Sequence, residues 1–330
     1  MEYVNVVVTD PIDEAGMRRI SEVSERVRAT QISDLTRAER RGDRAAEEKL
    51  DALLAEAEIV CGFILPRDVI RRAPKLKWIQ MLSTGVDAVV DEAFVTSPVV
   101  MSKVDGVHSH TVAEFVFAMV LMFAKKMPFC FEQKRNRQWQ QYTPSVLRSK
   151  TMGIVGLGHV GRSVARIAKA FDMRVVATRR SAKQAGRARH VDLVLPAGRL
   201  HDLLAESDFV ALTLPLTGES NEMIGEAELR AMKPTAYLIN VGRGPVVNEQ
   251  ALVRALDEKW IGGAGLDVFA TEPLPVESRL WDFPNVIYSP HVAGYMEGYG
   301  AGVTELFLEN LRRYLGGERL LNTVSKKKGY

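Results

Sequence analysis

Only two cysteines, Cys61 and Cys130, occur in 330 residues, too few for a disulfide framework and without the spacing of a metal site. An excess of charge of one sign is also missing. With 44 Lys and Arg against 41 Asp and Glu, the net charge is +3, so no global field draws the chain to nucleic acid or to a membrane surface. Long hydrophobic runs are absent: the longest apolar helix candidate, Val112–Phe123, is broken by Glu114 and too short to span a bilayer. Met1-Glu2-Tyr3 leads straight into the strand-like Val4-Asn5-Val6-Val7-Val8 with no leader pattern, so a cytoplasmic location is expected. Internal repeats and low-complexity stretches are lacking, and Lys326-Lys327-Lys328 reads as a frayed tail. What remains is an ordinary soluble composition, with length for one large domain or two of usual size.

One short segment carries most of the information. Thr151-Met152-Gly153-Ile154-Val155 is an apolar run that feeds into Gly156-Leu157-Gly158-His159-Val160-Gly161. A helical stretch, Arg162–Phe171, follows, and then a second strand-like run, Arg174–Thr178. Strand, tight turn, helix and strand are the context that a dinucleotide fingerprint requires. Gly156 allows the sharp turn, Gly158 lets backbone approach a pyrophosphate, and Gly161 lets the helix pack on the strand. The helix N-terminus, from His159 and Val160, offers N–H groups to the phosphates. A glycine-rich structural turn is the competing reading, and the flanking βαβ pattern argues against it.

The second strand lacks the acid that normally ends it. Arg179 stands 18 residues after Gly161, where an Asp or Glu would bind the adenosine ribose hydroxyls of NAD. Arg179 and Arg180 would instead accept a 2′-phosphate through charge-assisted hydrogen bonds. NADP is therefore expected over NAD, although NAD remains an alternative. Lys183, Arg187 and Arg189 have no such positional argument and read as a solvated basic surface.

Elsewhere the chain alternates strand and helix, the pattern of an α/β protein with parallel sheets buried on both faces. Strands are expected at Val4–Val8, Glu58–Gly62, Lys77–Met81 and Val99–Met101, with helices at Asp13–Ser24 and Leu50–Ala57. The charged stretch Arg40–Lys49 reads as a solvated insertion. Thr111-Val112-Ala113-Glu114 fits a capping box opening a long helix, whose apolar face runs through Phe115, Met119 and Met122. Later strands are expected at Asp208–Leu212, Ala236–Asn240, Gly263–Asp267 and Asn285–Ser289, and a last helix at Tyr299–Tyr314.

Three chemically equipped loops follow these later strands. Asn240-Val241-Gly242-Arg243-Gly244 places a guanidinium between glycines, suited to hold a carboxylate and polarise a carbonyl. Leu266–Pro273 carries Asp267 and Glu272. Ser289-Pro290-His291-Val292-Ala293-Gly294 places a histidine at a strand end, the natural proton donor for ketone reduction near neutral pH. Each alone reads equally as a structural ion pair, a cap or a satisfied loop histidine. Behind a dinucleotide fingerprint, the three together point to hydride-transfer chemistry. His110 and Glu114 lie one helical turn apart, but two ligands without a third do not make a metal site.

With these motifs in family order and spacing, the chain resembles the D-isomer-specific 2-hydroxyacid dehydrogenases over nearly its whole length. The resemblance implies two α/β lobes, a Rossmann dinucleotide-binding domain and a flavodoxin-like substrate domain. Residues 1–103 would form the substrate domain and 104–295 the cofactor domain, with 296–330 returning as a C-terminal helix to the first. It implies catalytic roles for Arg243, Glu272 and His291. Ser83, Thr84, Gly85 and Val86 would form a loop whose N–H groups hold a 2-oxo acid carboxylate together with Arg243. Asp267 would contact the nicotinamide carboxamide, and Leu214, Pro215, Val241, His291 and Gly294 would border the cofactor. Tyr295-Met296 replaces the usual small residue and threonine, which bears on the pocket and leaves the acid's identity open. A homodimer joined through the helix from Thr111 is expected. The expected activity is an NADP-preferring glyoxylate/hydroxypyruvate-type reductase. An NAD-dependent D-2-hydroxyacid or phosphoglycerate dehydrogenase is the alternative, and a dinucleotide-sensing corepressor-like interaction protein is the rival from another class.

Overall fold

The computed structural model describes residues 3–87, 89–297, 299–327 and 329, with the backbone alone for Tyr299 and Ala301. Met1, Glu2 and Lys328, which the sequence reading touched, lie outside the described residues. The chain forms two compact units, Met1–Val107 with Glu297–Tyr330, and His108–Met296.

The first unit is built on five parallel strands: β1 (Val4–Val8), β2 (Val27–Gln31), β3 (Ile59–Gly62), β4 (Trp78–Met81) and β5 (Val100–Ser102), ordered β2-β1-β3-β4-β5. That order is the flavodoxin-like arrangement. β3 and β4 are buried at every residue, as expected of parallel strands covered on both faces. The C-terminal helix Tyr299–Leu315 belongs to this unit, and the rings of Phe307 and Tyr314 lie 5.6 and 5.5 Å from Trp78. Asn310 Nδ2 donates to Gln80 Oε1 at 3.0 Å inside the same interface, so a buried amide pair fixes how the helix sits on the sheet.

One expectation for this unit is corrected, and one strand is added. Arg40–Lys49 is no insertion: helices run Ser33–Arg40 and Arg44–Leu54, the second capped by Asp43, whose carboxylate accepts from Ala45 and Ala46 N–H. Only Ala46, Leu50 and Leu54 of that second helix are buried. Three apolar residues at four-residue spacing suffice to seat a helix whose other faces are charged. Strand β2 went unread because Val27 is its one buried residue, leaving an edge strand with almost no apolar signal.

The second unit holds eight strands: β6 (Thr151–Val155), β7 (Arg174–Arg179), β8 (Gly186–Ala188), β9 (Val191–Pro196), β10 (Phe209–Leu212), β11 (Tyr237–Asn240), β12 (Gly263–Leu266) and β13 (Val286–Tyr288). Their order is β13-β12-β11-β10-β6-β7-β9-β8; β8 runs antiparallel to β9 and the other pairs are parallel. From β6 the chain first builds outward through β7 and then crosses to β10 on the other side. The topological switch point therefore lies between β6 and β10.

The helix expected from Thr111 starts earlier, at Ser109, with His108 as its N-cap residue and no side-chain cap. The Thr111–Glu114 capping box is thus not formed, and Thr111 Oγ1 instead meets Met296 Sδ at 3.3 Å. Its buried face also differs: Val112, Val116, Phe117, Met119, Val120 and Phe123 are buried, whereas Phe115 and Met122 are only half-buried. The helix packs on helix His159–Ala170 and on β11. Phe117 stacks on Phe171 at 5.5 Å and Phe123 on Tyr237 at 4.3 Å. Phe115 and Leu121 pack on the core of the same unit, whereas Met122 is half-buried outside it.

Candidate active site

Strand register explains why distant sequence motifs meet. Thr178, Val155, Leu212, Asn240, Leu266 and Tyr288 pair in one continuous row across β7, β6, β10, β11, β12 and β13. Because these strands are parallel, the residues that follow the row all leave by the same carboxyl edge. Arg179, Gly156, Leu214, Val241, Arg243, Asp267 and His291 lie within three residues of it. At about 4.8 Å per strand, the row spans roughly 24 Å from Thr178 to Tyr288. Basic groups stand at one end and the candidate chemistry at the other.

At the switch point, Gly156 adopts a φ of +101°, a conformation suited to glycine. A Cβ on Gly161 would lie 2.3 Å from the Gly156 carbonyl oxygen, so a side chain there would push the helix off the turn. Gly158 is the N-cap residue of helix His159–Ala170, with open space where its Cβ would be. His159, Val160 and Gly161 form the first helical turn, whose N–H groups have no intrahelical acceptor. Open space before a positive helix end fits a pyrophosphate. Thr213 Oγ1 donates to Gly156 O at 2.7 Å, and Leu214, followed by Pro215, packs against the same turn.

Arg179 ends β7 and is exposed, as is Arg180. Arg180 Nη1 lies 3.4 Å from Glu219 Oε2, a solvent-exposed pair on the loop after β10. Lys183, Arg187 and Arg189 are exposed around the β8–β9 edge.

Two of the three chemical loops are tied down by a side chain at a strand end, and the third by Glu272 within it. Asn240, buried at the end of β11, accepts from Gly242 N–H at 3.1 Å and donates to Arg243 O at 3.0 Å. The Arg243 guanidinium donates to Gly242 O at 2.8 Å. A Cβ on Gly244 would lie 1.8 Å from Phe269 O, so glycine is required for this loop to pass the one after β12.

In that neighbouring loop Glu272 is held from two sides. Its Oε1 accepts from Phe269 N–H at 3.0 Å, and its Oε2 lies 2.7 Å from His291 Nδ1. A carboxylate only accepts, so Nδ1 carries a hydrogen. The nitrogen that gains and loses a proton is then Nε2. The imidazole and carboxylate side chains are 48% and 36% exposed, so the pair is open to a ligand. His291 itself has a φ of +54°, uncommon for a residue with a side chain, and its N–H donates to Asp267 O at 2.8 Å.

Asp267 lies just behind the histidine and is 2% exposed. Its Oδ1 accepts from Ser289 Oγ at 2.7 Å, Val292 N–H at 2.9 Å and Ala293 N–H at 3.2 Å; its Oδ2 accepts from Ala293 N–H at 3.1 Å. Gly294 and the exposed Tyr295 follow.

In the first unit, Ser83, Thr84, Gly85 and Val86 form a loop after β4, again at a carboxyl edge. Ser83 Oγ donates to Gly85 O at 2.7 Å, Thr84 Oγ1 to Val104 O at 2.7 Å, and Val104 N–H to Ser83 O at 3.1 Å.

The sequence reading assigned nothing to Asn240, Thr213, Ser289 or Glu219. For the first three the signal was present: a small polar residue just past an apolar strand run is where side chains turn back onto their own backbone. Glu219 had no such signal. Among the described residues, no three His, Cys, Asp or Glu side chains gather as metal ligands, and His110 Nδ1 lies 3.1 Å from Arg166 Nη2. No helix among them is long and apolar enough to cross a membrane.

Comparison with known proteins agrees with this geometry. Residues 117–293 match the family model described as D-isomer specific 2-hydroxyacid dehydrogenase, NAD binding domain. The chain is 37% identical to glyoxylate/hydroxypyruvate reductase B of Pectobacterium carotovorum over 82% of this chain and 86% of that protein. It is 36% identical to glyoxylate reductase of Thermococcus litoralis over 79% and 80%. Among solved structures, an NADPH-dependent glyoxylate/hydroxypyruvate reductase from Sinorhizobium meliloti, in complex with NADP and sulfate, superposes with a TM-score of 0.84. That match has 25% identity and covers 99% of this chain and 100% of that one. With its fingerprint, strand-end loops and matched length, the chain belongs to the D-isomer specific 2-hydroxyacid dehydrogenase family.

Proposed function

We propose that this protein is an NADP-preferring reductase of small 2-oxo acids of the glyoxylate/hydroxypyruvate type. The observation that carries the reading is the single register row that brings Arg179, the glycine turn, Arg243, Glu272 and His291 to one sheet edge. The reductases named above, one of them holding NADP, support both the substrate class and the cofactor. When bound, the nicotinamide supplies the hydride.

The protein's own groups account for the rest. The Gly156–Gly161 turn, Leu214, Pro215 and Val241 shape the cofactor's bed, and Arg179 with Arg180 takes the 2′-phosphate. Arg243 grips the acid and polarises its 2-oxo group. His291 Nε2 would deliver the proton to the carbonyl oxygen, with Glu272 stabilising the imidazolium and fixing its tautomer. The first unit is assigned to substrate, with the Ser83–Val86 N–H groups taking a carboxylate, and the second to cofactor. Cys61 and Cys130 are both free thiols, which suits the reducing cytoplasm. Oxidation of NADPH by the full chain against a panel of 2-oxo acids, repeated with NADH, tests the assignment. Glyoxylate or hydroxypyruvate with NADPH is expected to give the highest kcat/KM, and inactivity with every 2-oxo acid sinks it.

For assembly we infer a homodimer. The helix Ser109–Ala124 leaves Phe115 and Met122 half-buried, and the next one, Met127–Arg135, has no buried residue. Phe131, Trp139 and Val146 are exposed nearby, Trp139 at 95%. So much apolar surface in one segment marks an interaction site. Light scattering at micromolar concentration is expected to give twice the chain mass, and Phe131→Glu with Trp139→Glu to halve it. A wild-type monomer would reject the dimer.

A further inference from the structure

We infer that Gln80 is a positioning residue for the substrate loop, coupling the C-terminal segment of the chain to the Ser83–Val86 backbone. Gln80 lies on β4, just before that loop, and is fully buried. Its Oε1 accepts from Ser102 Oγ at 2.7 Å and from Asn310 Nδ2 at 3.0 Å, and its Nε2 donates to Met81 O at 2.8 Å. Ser102 Oγ accepts in turn from Trp78 Nε1 at 2.8 Å. Asn310 clasps Leu321, accepting from its N–H at 2.7 Å and donating to its carbonyl at 3.3 Å. Ser102 and Asn310 are as buried as Gln80, so β4, β5 and the C-terminal helix meet at one amide.

The network reaches the loop through β5. Beyond Leu321 the chain lies antiparallel to that strand, with Thr323 bridged to Ser102. Lys103 N–H donates to Asn322 O at 3.1 Å, and Val324 N–H to Met101 O at 2.8 Å. Val104, the next residue, holds the loop itself: its N–H donates to Ser83 O and its carbonyl accepts from Thr84 Oγ1. Val324 and the loop's Val86 also share one buried cluster with Met81 and Met101. Stability alone does not call for the polar groups, because apolar partners of the same shape can serve a core nearly as well. A fully satisfied buried network instead selects one arrangement. Here that arrangement locks β4 to β5, and with it the direction in which the N–H groups after β4 point. Buried as it is, Gln80 touches neither acid nor cofactor; it acts through Ser102 and Val104.

This inference rests on the proposed role of the Ser83–Val86 loop, and the test separates the two. Full-length Gln80→Met, Ser102→Ala and Gly85→Pro are compared with wild type for glyoxylate KM and kcat at saturating NADPH, for NADPH Kd by fluorescence titration, and for Tm. Hydrogen–deuterium exchange reports on the loop amides directly. Gln80→Met keeps the side chain's length but loses both amide atoms. It is expected to raise glyoxylate KM at least about tenfold, with kcat and NADPH Kd within about threefold of wild type. The Ser83–Val86 amides should exchange faster while those of β1, farther across the sheet, keep their protection. Unchanged loop exchange in Gln80→Met, whatever happens to Tm, overturns the inference. Equal loss of protection in β1 and the loop makes the network a matter of stability and overturns it too. If Gln80→Met does not fold, Ser102→Ala decides: a KM raised about threefold with faster loop exchange supports the inference, and wild-type values of both overturn it. Gly85→Pro deletes one loop N–H and probes the underlying reading. Faster loop exchange in Gln80→Met, with unchanged KM in both that variant and Gly85→Pro, fells the underlying reading. A raised KM in Gly85→Pro beside a normal one in Gln80→Met fells this inference alone.

Discussion

Replacing His291 by alanine is expected to lower kcat by at least about a hundredfold, the usual scale of general acid catalysis, while NADPH Kd stays nearly unchanged. The asymmetry follows from geometry. The imidazole is reached through Nε2, because Nδ1 is committed to Glu272 at 2.7 Å, and the glycine turn at Gly156–Gly161 does not involve it. A hundredfold loss is roughly 2.7 kcal/mol of barrier, larger than an exposed ion pair would contribute to folding. The loss should therefore appear in turnover rather than in Tm. Stopped-flow measurement of hydride transfer with glyoxylate, beside a fluorescence titration of NADPH, checks it. A variant that turns over near-normally would remove His291 from the mechanism.

Cofactor preference is the second large effect. Wild type is expected to favour NADPH over NADH in kcat/KM by about one to two orders of magnitude. A hydrogen bond to a charged group contributes roughly 1.5–3 kcal/mol, and each 1.4 kcal/mol is about tenfold. Arg179 and Arg180 are exposed, so the figure belongs at its lower end and shrinks further as salt is added. Arg180 also shares its charge with Glu219 at 3.4 Å, which leaves Arg179 as the better lever. Arg179→Asp replaces attraction by repulsion of the 2′-phosphate and restores an acceptor for ribose hydroxyls, so the ratio should fall to unity or below. A wild-type ratio at or below unity would mean that these arginines only face solvent.

Much of the architecture is legible in the sequence. Strands β6, β10, β11 and β12 are short apolar runs bounded by glycine or polar residues, and their burial on both faces leaves few other readings. The glycine spacing could be interpreted because its demands are local: a turn at Gly156 and a close packing contact at Gly161. Where burial is partial, legibility fails. β2 contributes one buried residue, and β8 none. Helix Arg44–Leu54 hides three buried residues among charges, so charge masks its periodicity. The capping box at Thr111 failed for another reason: the motif is compatible with a helix start but does not exclude one two residues earlier.

By itself the sequence determined the chemical inventory of the site and the order in which its parts occur. Arginine, glutamate and histidine follow successive strand runs, a glycine turn stands at residue 156 and basic residues stand where an acid is usual, because these depend only on residue type and local spacing. Tertiary structure alone decided which groups share work. Strand pairing, set by contacts far apart in the chain, placed Thr178 through Tyr288 in one row and so brought six loops to one edge. It also turned the Asp267 carboxylate inward, onto Ser289, Val292 and Ala293. A side chain's direction depends on the backbone groups left without partners around it, and those exist only once the loops have met.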